Sequence, residues 1–270
     1  MIDTHCHLTF PQFQGRVDEE LAEAARRGVT GCITISTTPM NALECLNLAT
    51  AYSNVWSSAG VHPLYAAEGP FDLTPLKHCI AQERCVAWGE IGLDNHYSDP
   101  PRSLQEPVLM QQLALIRETD TLERGKPRPG ANKPIVIHCR EAFDDLIPIL
   151  RESGIAGERF VFHCFTAGPQ EAKQVLDFGA MLSFTGVATY NNAKEVMEAA
   201  VLTPADRLMV ETDAPYLSPQ PVRGQRPCRP WMVSLTAKLI AQARGEPLQD
   251  FERATDANAR RFFGIDLPNA

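Results

Sequence analysis

Five of the seven histidines sit where short apolar runs end. His5 and His7 close the first run, His62 follows the third, His138 closes the fifth and His163 the sixth. His78 and His96 fall elsewhere, in a helical stretch and a loop. Carboxylates end two further runs in the same way: Glu90 in Gly89-Glu90-Ile91-Gly92-Leu93-Asp94, and Glu211 and Asp213 in Glu211-Thr212-Asp213-Ala214-Pro215. Imidazole with carboxylate and without thiolate suits Zn, Mn, Fe or Ni, and tolerates Mg where carboxylates dominate. Four histidines and two or three carboxylates are too many ligands for one tetrahedral ion. They suit two divalent ions about 3.5–4 Å apart, bridged by one carboxylate and a hydroxide. Metal-bound water ionises near neutral pH, which supplies a nucleophile for hydrolysis. Glu211, one pair of residues deeper than Asp213, is read either as a ligand or as a group that orients one. No G-x-S-x-G elbow, Walker loop or G-x-G-x-x-G fingerprint competes with this chemistry.

These residues spread from position 5 to position 213, so the fold must gather them. Apolar runs at 1–5, 32–36, 55–61, 85–91, 134–139, 160–165, 180–184 and 208–212 alternate with helical spacing at 16–27, 40–52, 73–83, 104–119, 141–152, 169–178 and 193–200. Two more helical stretches, 231–243 and 248–263, follow the last run. Strands alternating with helices predict βαβ units and a parallel sheet. Eight units predict an α/β fold of one (β/α)8 TIM barrel with extra C-terminal helices, spanning 1–270 as a single domain; an open doubly wound sheet is the runner-up. In such a barrel the carboxyl ends of the strands converge on one mouth. Strand alternation sends His5 and His7 into that mouth and turns Cys6 outward, with Cys139 and Cys164 behaving alike. Two segments break the rhythm. Residues 123–132 form a Pro/Gly-rich excursion, read as a mobile surface loop on the amino-terminal side of strand five. Residues 214–230, with five prolines and Arg223, Arg226 and Arg229, lie over the mouth. Those arginines either contact phosphates through bidentate donors or are simply solvated.

The chain has 25 Lys+Arg against 33 Asp+Glu, a net charge of −8. That balance excludes extended phosphate neutralisation along duplex DNA. Two divalent ions would still leave a positive surplus in one pocket, so a strand end entering it remains compatible with the charge. The start lacks a basic region followed by an apolar run, and no apolar stretch has the length of a membrane span. The eight cysteines include no C-x-x-C pair, which reads as reduced thiols. The expectation is a cytoplasmic monomer with no membrane association and no obligate protein partner.

With these motifs assembled, the chain resembles the TatD family of metal-dependent deoxyribonucleases, within the amidohydrolase-like barrels. The matching motifs are Asp3-Thr4-His5-Cys6-His7, Gly60-Val61-His62-Pro63, Gly89-Glu90-Ile91-Gly92-Leu93-Asp94, His138-Cys139-Arg140, His163-Cys164-Phe165 and Glu211-Thr212-Asp213-Ala214-Pro215-Tyr216-Leu217. Asn258-Ala259-Arg260-Arg261-Phe262-Phe263 also looks like the family's terminal helix. The resemblance implies two divalent cations, with Zn, Mg or Mn the leading identities. One would be held by His5, His7, Asp213 and Glu90, the other by Glu90, His138 and His163. It implies catalytic roles for Asp213, which positions or deprotonates the bridging water, and for the bridging Glu90. His62 and Arg140 would contact substrate phosphate. Asp94 and Tyr216, which lie in matched motifs, are placed with Arg223 among the substrate contacts. Tyr97, Tyr190 and Trp231 are further aromatics with the chemistry to stack a base.

The implied activity is phosphodiester hydrolysis at a DNA strand end, commonly 3′→5′. Two departures stand out: 222–230 lacks the asparagine of the family's Arg-Gly-x-x-Asn-x-Pro pattern, and 126–132 is an insertion. Two other functions use similar residues. One is a two-metal amidohydrolase or esterase, such as an aminoacyl-tRNA deacylase. The amidohydrolase form is disfavoured because Glu90 stands where a modified lysine bridges the metals in many such enzymes. The other is a non-catalytic metal-binding barrel, which should have lost ligands that are all present here.

Overall fold

A computed structural model describes residues 1–123 and 126–266 of the chain. Positions 124–125, part of the expected excursion, and 267–270, the tail of the expected domain, lie outside the described residues. Eight parallel strands pair in chain order: β1 (Ile2–Cys6), β2 (Gly31–Thr34), β3 (Val55–Ala59), β4 (Cys85–Asp94), β5 (Ile135–Arg140), β6 (Phe160–Phe162), β7 (Met181–Phe184) and β8 (Leu208–Val210). The sheet closes on itself through a parallel bridge between Cys6 and Ala214. Asp213 N–H donates to His5 O at 2.8 Å, and His7 N–H to Ala214 O at 2.7 Å, across the same seam. The fold is a TIM (β/α)8 barrel. Helices α1 (Val17–Arg26), α2 (Pro39–Ala51), α3 (Thr74–Ile80), α4 (Arg102–Asp120), α5 (Phe143–Glu152), α6 (Pro169–Phe178) and α7 (Lys194–Leu202) join consecutive strands. After β8, α8 (Val233–Arg244) packs beside α7 and completes the ring.

The strands are readable as apolar runs because each is covered on both faces. Outward side chains such as Cys32, Val55, Ile137, Phe162 and Leu182 pack under the helices. Inward ones, among them Ile33, Trp56, Val136, Val161 and Met209, fill the lower barrel. The last helix, α9 (Leu248–Phe263), lies under that floor and adds Ala259 and Phe263 to it. Asp256 Oδ1 accepts from Ile2 N–H at 2.8 Å, and Asn258 Nδ2 donates to Leu208 O at 2.8 Å, so α9 is bonded to the starts of β1 and β8. Helix α9 thus covers the floor of the barrel, opposite the carboxyl ends of the strands.

The 126–132 insertion is also at the floor. Lys126–Pro127 pairs antiparallel with Leu122–Glu123, Asn132 N–H donates to Asp120 Oδ1 at 2.8 Å, and Lys133 Nζ donates to Ile80 O at 2.7 Å and Gln82 O at 2.8 Å. The segment over the mouth, 214–230, folds back on itself. Cys228 N–H donates to Pro215 O at 2.9 Å and Ser218 Oγ to Gln225 O at 2.6 Å.

Two strands depart from simple alternation. In β1 the register with β2 shifts between Asp3 and Cys6. Thr4 Oγ1 reaches Val210 O at 3.1 Å and Ser183 Oγ at 3.3 Å inside the barrel, yet the next residue, His5, also faces inward. A bulge re-aims a strand in this way without ending it. In β4 the register with β5 shifts between Trp88 and Ile91. The strand then continues to Asp94, three residues beyond the end expected at 91, because Ile91, Gly92, Leu93 and Asp94 pair with Ile137, His138, Cys139 and Arg140.

Candidate metal centre

Glu90 lies at the middle of the mouth, and local backbone explains how it gets there. Gly89 has φ +120°, and a Cβ on Gly60 would lie 2.5 Å from the Gly89 carbonyl carbon, so the two glycines let β3 and β4 approach closely. Ser36 Oγ accepts Gly60 N–H at 2.9 Å, and Ser36 O accepts Glu90 N–H at 3.2 Å. Around the fixed carboxylate stand four imidazoles. Oε1 is 2.6 Å from His163 Nε2, 2.8 Å from His138 Nδ1 and 3.2 Å from His62 Nε2, and Oε2 is 3.2 Å from His5 Nε2. Asp213 Oδ1 lies 3.3 Å from His7 Nε2 and 3.7 Å from His5 Nε2.

The far side of each ring decides which nitrogen carries its proton. His7 Nδ1 sits 3.0 Å from Ile35 O, an acceptor, so the proton is on Nδ1 and Nε2 turns a lone pair toward Asp213. His138 Nε2 sits 2.8 Å from Asp94 Oδ2, leaving the Nδ1 lone pair toward Glu90. His163 Nδ1 faces Glu211 Oε1 at 3.4 Å, leaving Nε2 toward Glu90. His62 has the opposite polarity. Its Nδ1 accepts Leu64 N–H at 3.1 Å, so Nε2 carries hydrogen and presents a donor to the mouth.

Lone pairs of His138 and His163 thus point at a carboxylate oxygen less than 3 Å away. Acceptor facing acceptor at that range requires a proton or a cation between them. The ring nitrogens of His5 and His163 are buried and have no well-aligned hydrogen-bond partner, which fits ligands that wait for a cation. His5, His7 and Glu90 have ligand atoms within 4.8 Å of one another, as do His62, Glu90 and His138, and His5, His163 and Glu211. The donor set is nitrogen and oxygen only, and it fits divalent ions.

Electrostatics agree. Burial opposes ionisation of Glu90, but the His163, His62 and His5 rings and the His138 contact hold it well below the usual carboxylate range. Burial similarly opposes charge on Asp213, and the His7 contact with the His5 charge keeps it low. Burial pushes His5 and His62 down toward the neutral form. His163 and His138 are pushed down by burial too, yet the carboxylates facing them raise both above the ordinary histidine value.

Glu211 is surrounded by donors. It accepts Ser183 Oγ–H and Cys164 N–H at 2.6 Å each and Thr4 Oγ1–H at 3.3 Å. These three donors fix the carboxylate beside His163 Nδ1, the arrangement of an orienting group. Its signal was its place two residues before Asp213. Asp94 is turned to His138, while Arg140, two residues beyond His138 on β5, lies at the rim with its guanidinium carbon 5.1 Å from the Tyr97 ring centroid.

Other expected contacts lie farther out. Tyr216 is exposed and meets Phe10 edge-on at 6.3 Å, and Phe10 in turn stacks on His7 at 4.5 Å. Arg223 lies over the Tyr190 ring at 3.8 Å. Arg226 Nη1 donates to Arg223 O at 2.7 Å, and Arg229 Nε to the fully buried Glu20 at 2.6 Å. Arg229 therefore ties the 214–230 segment to α1, which a sequence separation of 209 residues conceals. Trp231 is buried under Arg27 and is part of the core. His78 is exposed on α3, remote from the mouth.

Known proteins resemble the chain over nearly its whole length. A family model described as TatD related DNase matches residues 2–264. An Escherichia coli protein named "Uncharacterized metal-dependent hydrolase YcfH" is 36% identical over 269 residues, covering 98% of this chain and 96% of its own. A Klebsiella pneumoniae protein named "3'-5' ssDNA/RNA exonuclease TatD" is 34% identical over 276 residues, covering 99% of each. Among solved structures, the E. coli TatD homologue YJJV superposes with a TM-score of 0.86 at 28% identity over 98% of each chain. A match that starts in β1, ends with α9 and takes in every residue around Glu90 makes the assignment direct: the chain belongs to the TatD-related DNase family.

Proposed function

We propose that this chain, a metal-dependent hydrolase, is an exonuclease that removes nucleotides from the 3′ end of single-stranded nucleic acid using two divalent cations. The observation that carries the proposal is the set of imidazole nitrogens of His5, His138 and His163 that face the Glu90 carboxylate. Divalent cations bound there would polarise a phosphoryl oxygen and lower the pKa of water toward neutrality. His5, His7 and Asp213 would hold one cation and His138 and His163 the other, with Glu90 between them. Ile35 O and Asp94 keep His7 and His138 in the ligand tautomer, and Glu211 faces the Nδ1 side of His163.

Asp213, at the seam of the barrel and kept ionised by the His7 and His5 rings, would take the proton of the attacking water. His62 presents an Nε2–H donor to a phosphate oxygen, and Arg140 offers planar paired donors at the rim. Tyr216 and Arg223 line the outer path of the strand. The relative named as a 3'-5' ssDNA/RNA exonuclease supports the substrate class and direction. A net charge of −8 with the positive surplus confined to one pocket favours a strand end over a duplex. Among the described residues no helix is long and apolar enough to cross a membrane, and we place the enzyme, as a monomer, in the cytoplasm.

The test is incubation of the purified protein with 3′-end-labelled single-stranded DNA, with and without a chelator. Chelator-sensitive release of mononucleotides is expected. A sample holding two metals per chain that releases none overturns the nuclease reading, and ester cleavage of aminoacyl-tRNA by that sample would replace it.

A further inference from the structure

Tyr97 is 49% exposed, yet the loop that carries it is fastened along its length. Asp94 Oδ1 accepts His96 N–H at 3.0 Å and Tyr97 N–H at 3.1 Å, while Oδ2 of the same carboxylate holds His138. Asn95 N–H donates to Arg140 O at 2.9 Å, and Asn95 Nδ2 donates to Glu141 O at 3.1 Å and Asp145 Oδ2 at 2.9 Å. Gln105 Nε2 closes the loop with bonds of 2.8 Å to both Asp94 O and Pro100 O. His96, whose Nδ1 is 2.7 Å from Glu141 Oε1, sets its ring edge-on to Tyr97 at 4.9 Å. Arg140 lies over the Tyr97 ring, and among the described residues it has no carboxylate within ion-pair distance. About half of the residue stays open to solvent despite these two neighbours, and the fastened loop holds it there.

We infer that Tyr97 is the stacking platform for the base of the nucleotide adjoining the one being released, with Arg140 beside it for that nucleotide's phosphate. A flat π-surface next to an arginine with free donors matches a nucleotide's base and anion together. A hydrogen-bonded chain runs from Glu90 through His138 and Asp94 to the backbone N–H of Tyr97, three links in all, which on this inference makes the base that stacks there a neighbour of the scissile linkage. Tyr97 and the metal ligand His138 are positioned by one carboxylate, which couples base placement to the centre. The inference rests on the nuclease reading for its substrate.

The test uses a single-stranded hexanucleotide with 2-aminopurine next to the 3′ nucleotide and a phosphorothioate at the terminal linkage, so that binding is read by fluorescence without cleavage. Wild type and Y97F are expected to quench the fluorophore on binding, and Y97A and Y97L to leave it bright. Removal of stacking should raise the KM of Y97A for an ordinary oligonucleotide about tenfold. An abasic site at that position should abolish the difference between Y97A and wild type. Y97L keeps the bulk should Y97A fail to fold, and metal content with melting temperature verifies both. Equal quenching in wild type and Y97L, or none in wild type, overturns the inference. Quenching that depends on Tyr97 without hydrolysis of the ordinary oligonucleotide overturns the nuclease reading and leaves a nucleotide-binding ledge.

Discussion

Asp94→Asn is nearly isosteric, but it removes one of two acceptors that are both in use. Oδ1 of Asp94 takes two loop N–H groups, at 3.0 and 3.1 Å, and Oδ2 takes His138 Nε2–H at 2.8 Å. An asparagine carbonyl would stay with the two N–H donors, which puts its NH2 against the His138 N–H. Donor against donor forces the imidazole into the other tautomer, with Nε2 accepting and Nδ1–H turned toward Glu90. The lone pair needed by a cation is then gone. A lost charge-assisted hydrogen bond is worth about 1.5–3 kcal/mol, and groups that orient metal ligands typically change affinity by about 10–100-fold. Since this substitution inverts the tautomer as well as weakening the ligand, the effect belongs at the upper end, about 100-fold. Metal occupancy is read by competition against a chromophoric chelator, with the exposed carboxylate change Asp72→Asn as control. One of the two bound ions should be lost or weakened, and the nitrogen chemical shifts of His138 should report the Nδ1–H form. Affinity within twofold of the parent at an unchanged melting temperature would refute the tautomer argument.

Three further outcomes follow from the same structure. His138→Ala should lose one metal and most hydrolytic activity, whereas His78→Ala should change neither; metal analysis and turnover on labelled DNA distinguish them. Arg229→Ala leaves the buried Glu20 with Arg16, 3.5 Å away, as its one cation among the described residues. Loss of one partner of a buried pair costs about 3–5 kcal/mol; the half-exposed Arg16 and 30% exposed Arg229 reduce this to about 2 kcal/mol, seen as a melting temperature lower by about 4–8 °C. Gly92→Ala would put a Cβ 1.8 Å from His138 O at a φ of +151°, so it should part β4 from β5 and abolish metal binding, measured by calorimetric titration.

The barrel was legible because buried parallel strands read as apolar runs and their mouths are marked by polar residues that an interior run would not otherwise carry. The positions near Glu90 were legible for the same reason. What the sequence could not display are contacts between distant positions. Alternation placed His5 and His7 together, but the bulge that lets Thr4 and His5 both face inward depends on pairing with β2. The tautomers depend on Ile35 O, Asp94 and Glu211, none of which is adjacent in sequence to the ring it orients. Asp94 and Glu211 showed their carboxylates but not which atoms they hold. The three arginines of 214–230 look alike as residues, and only folding separates Arg229 on Glu20 from Arg223 on Tyr190.

The most direct measurement is anomalous diffraction from crystals equilibrated with Mn or Zn. Two peaks about 3.5–4 Å apart are expected, one on each side of the Glu90 carboxylate, the first contacting His5, His7 and Asp213 and the second His138 Nδ1 and His163 Nε2. No peak at Glu90, or a single ion held through His62 Nε2, would contradict the account.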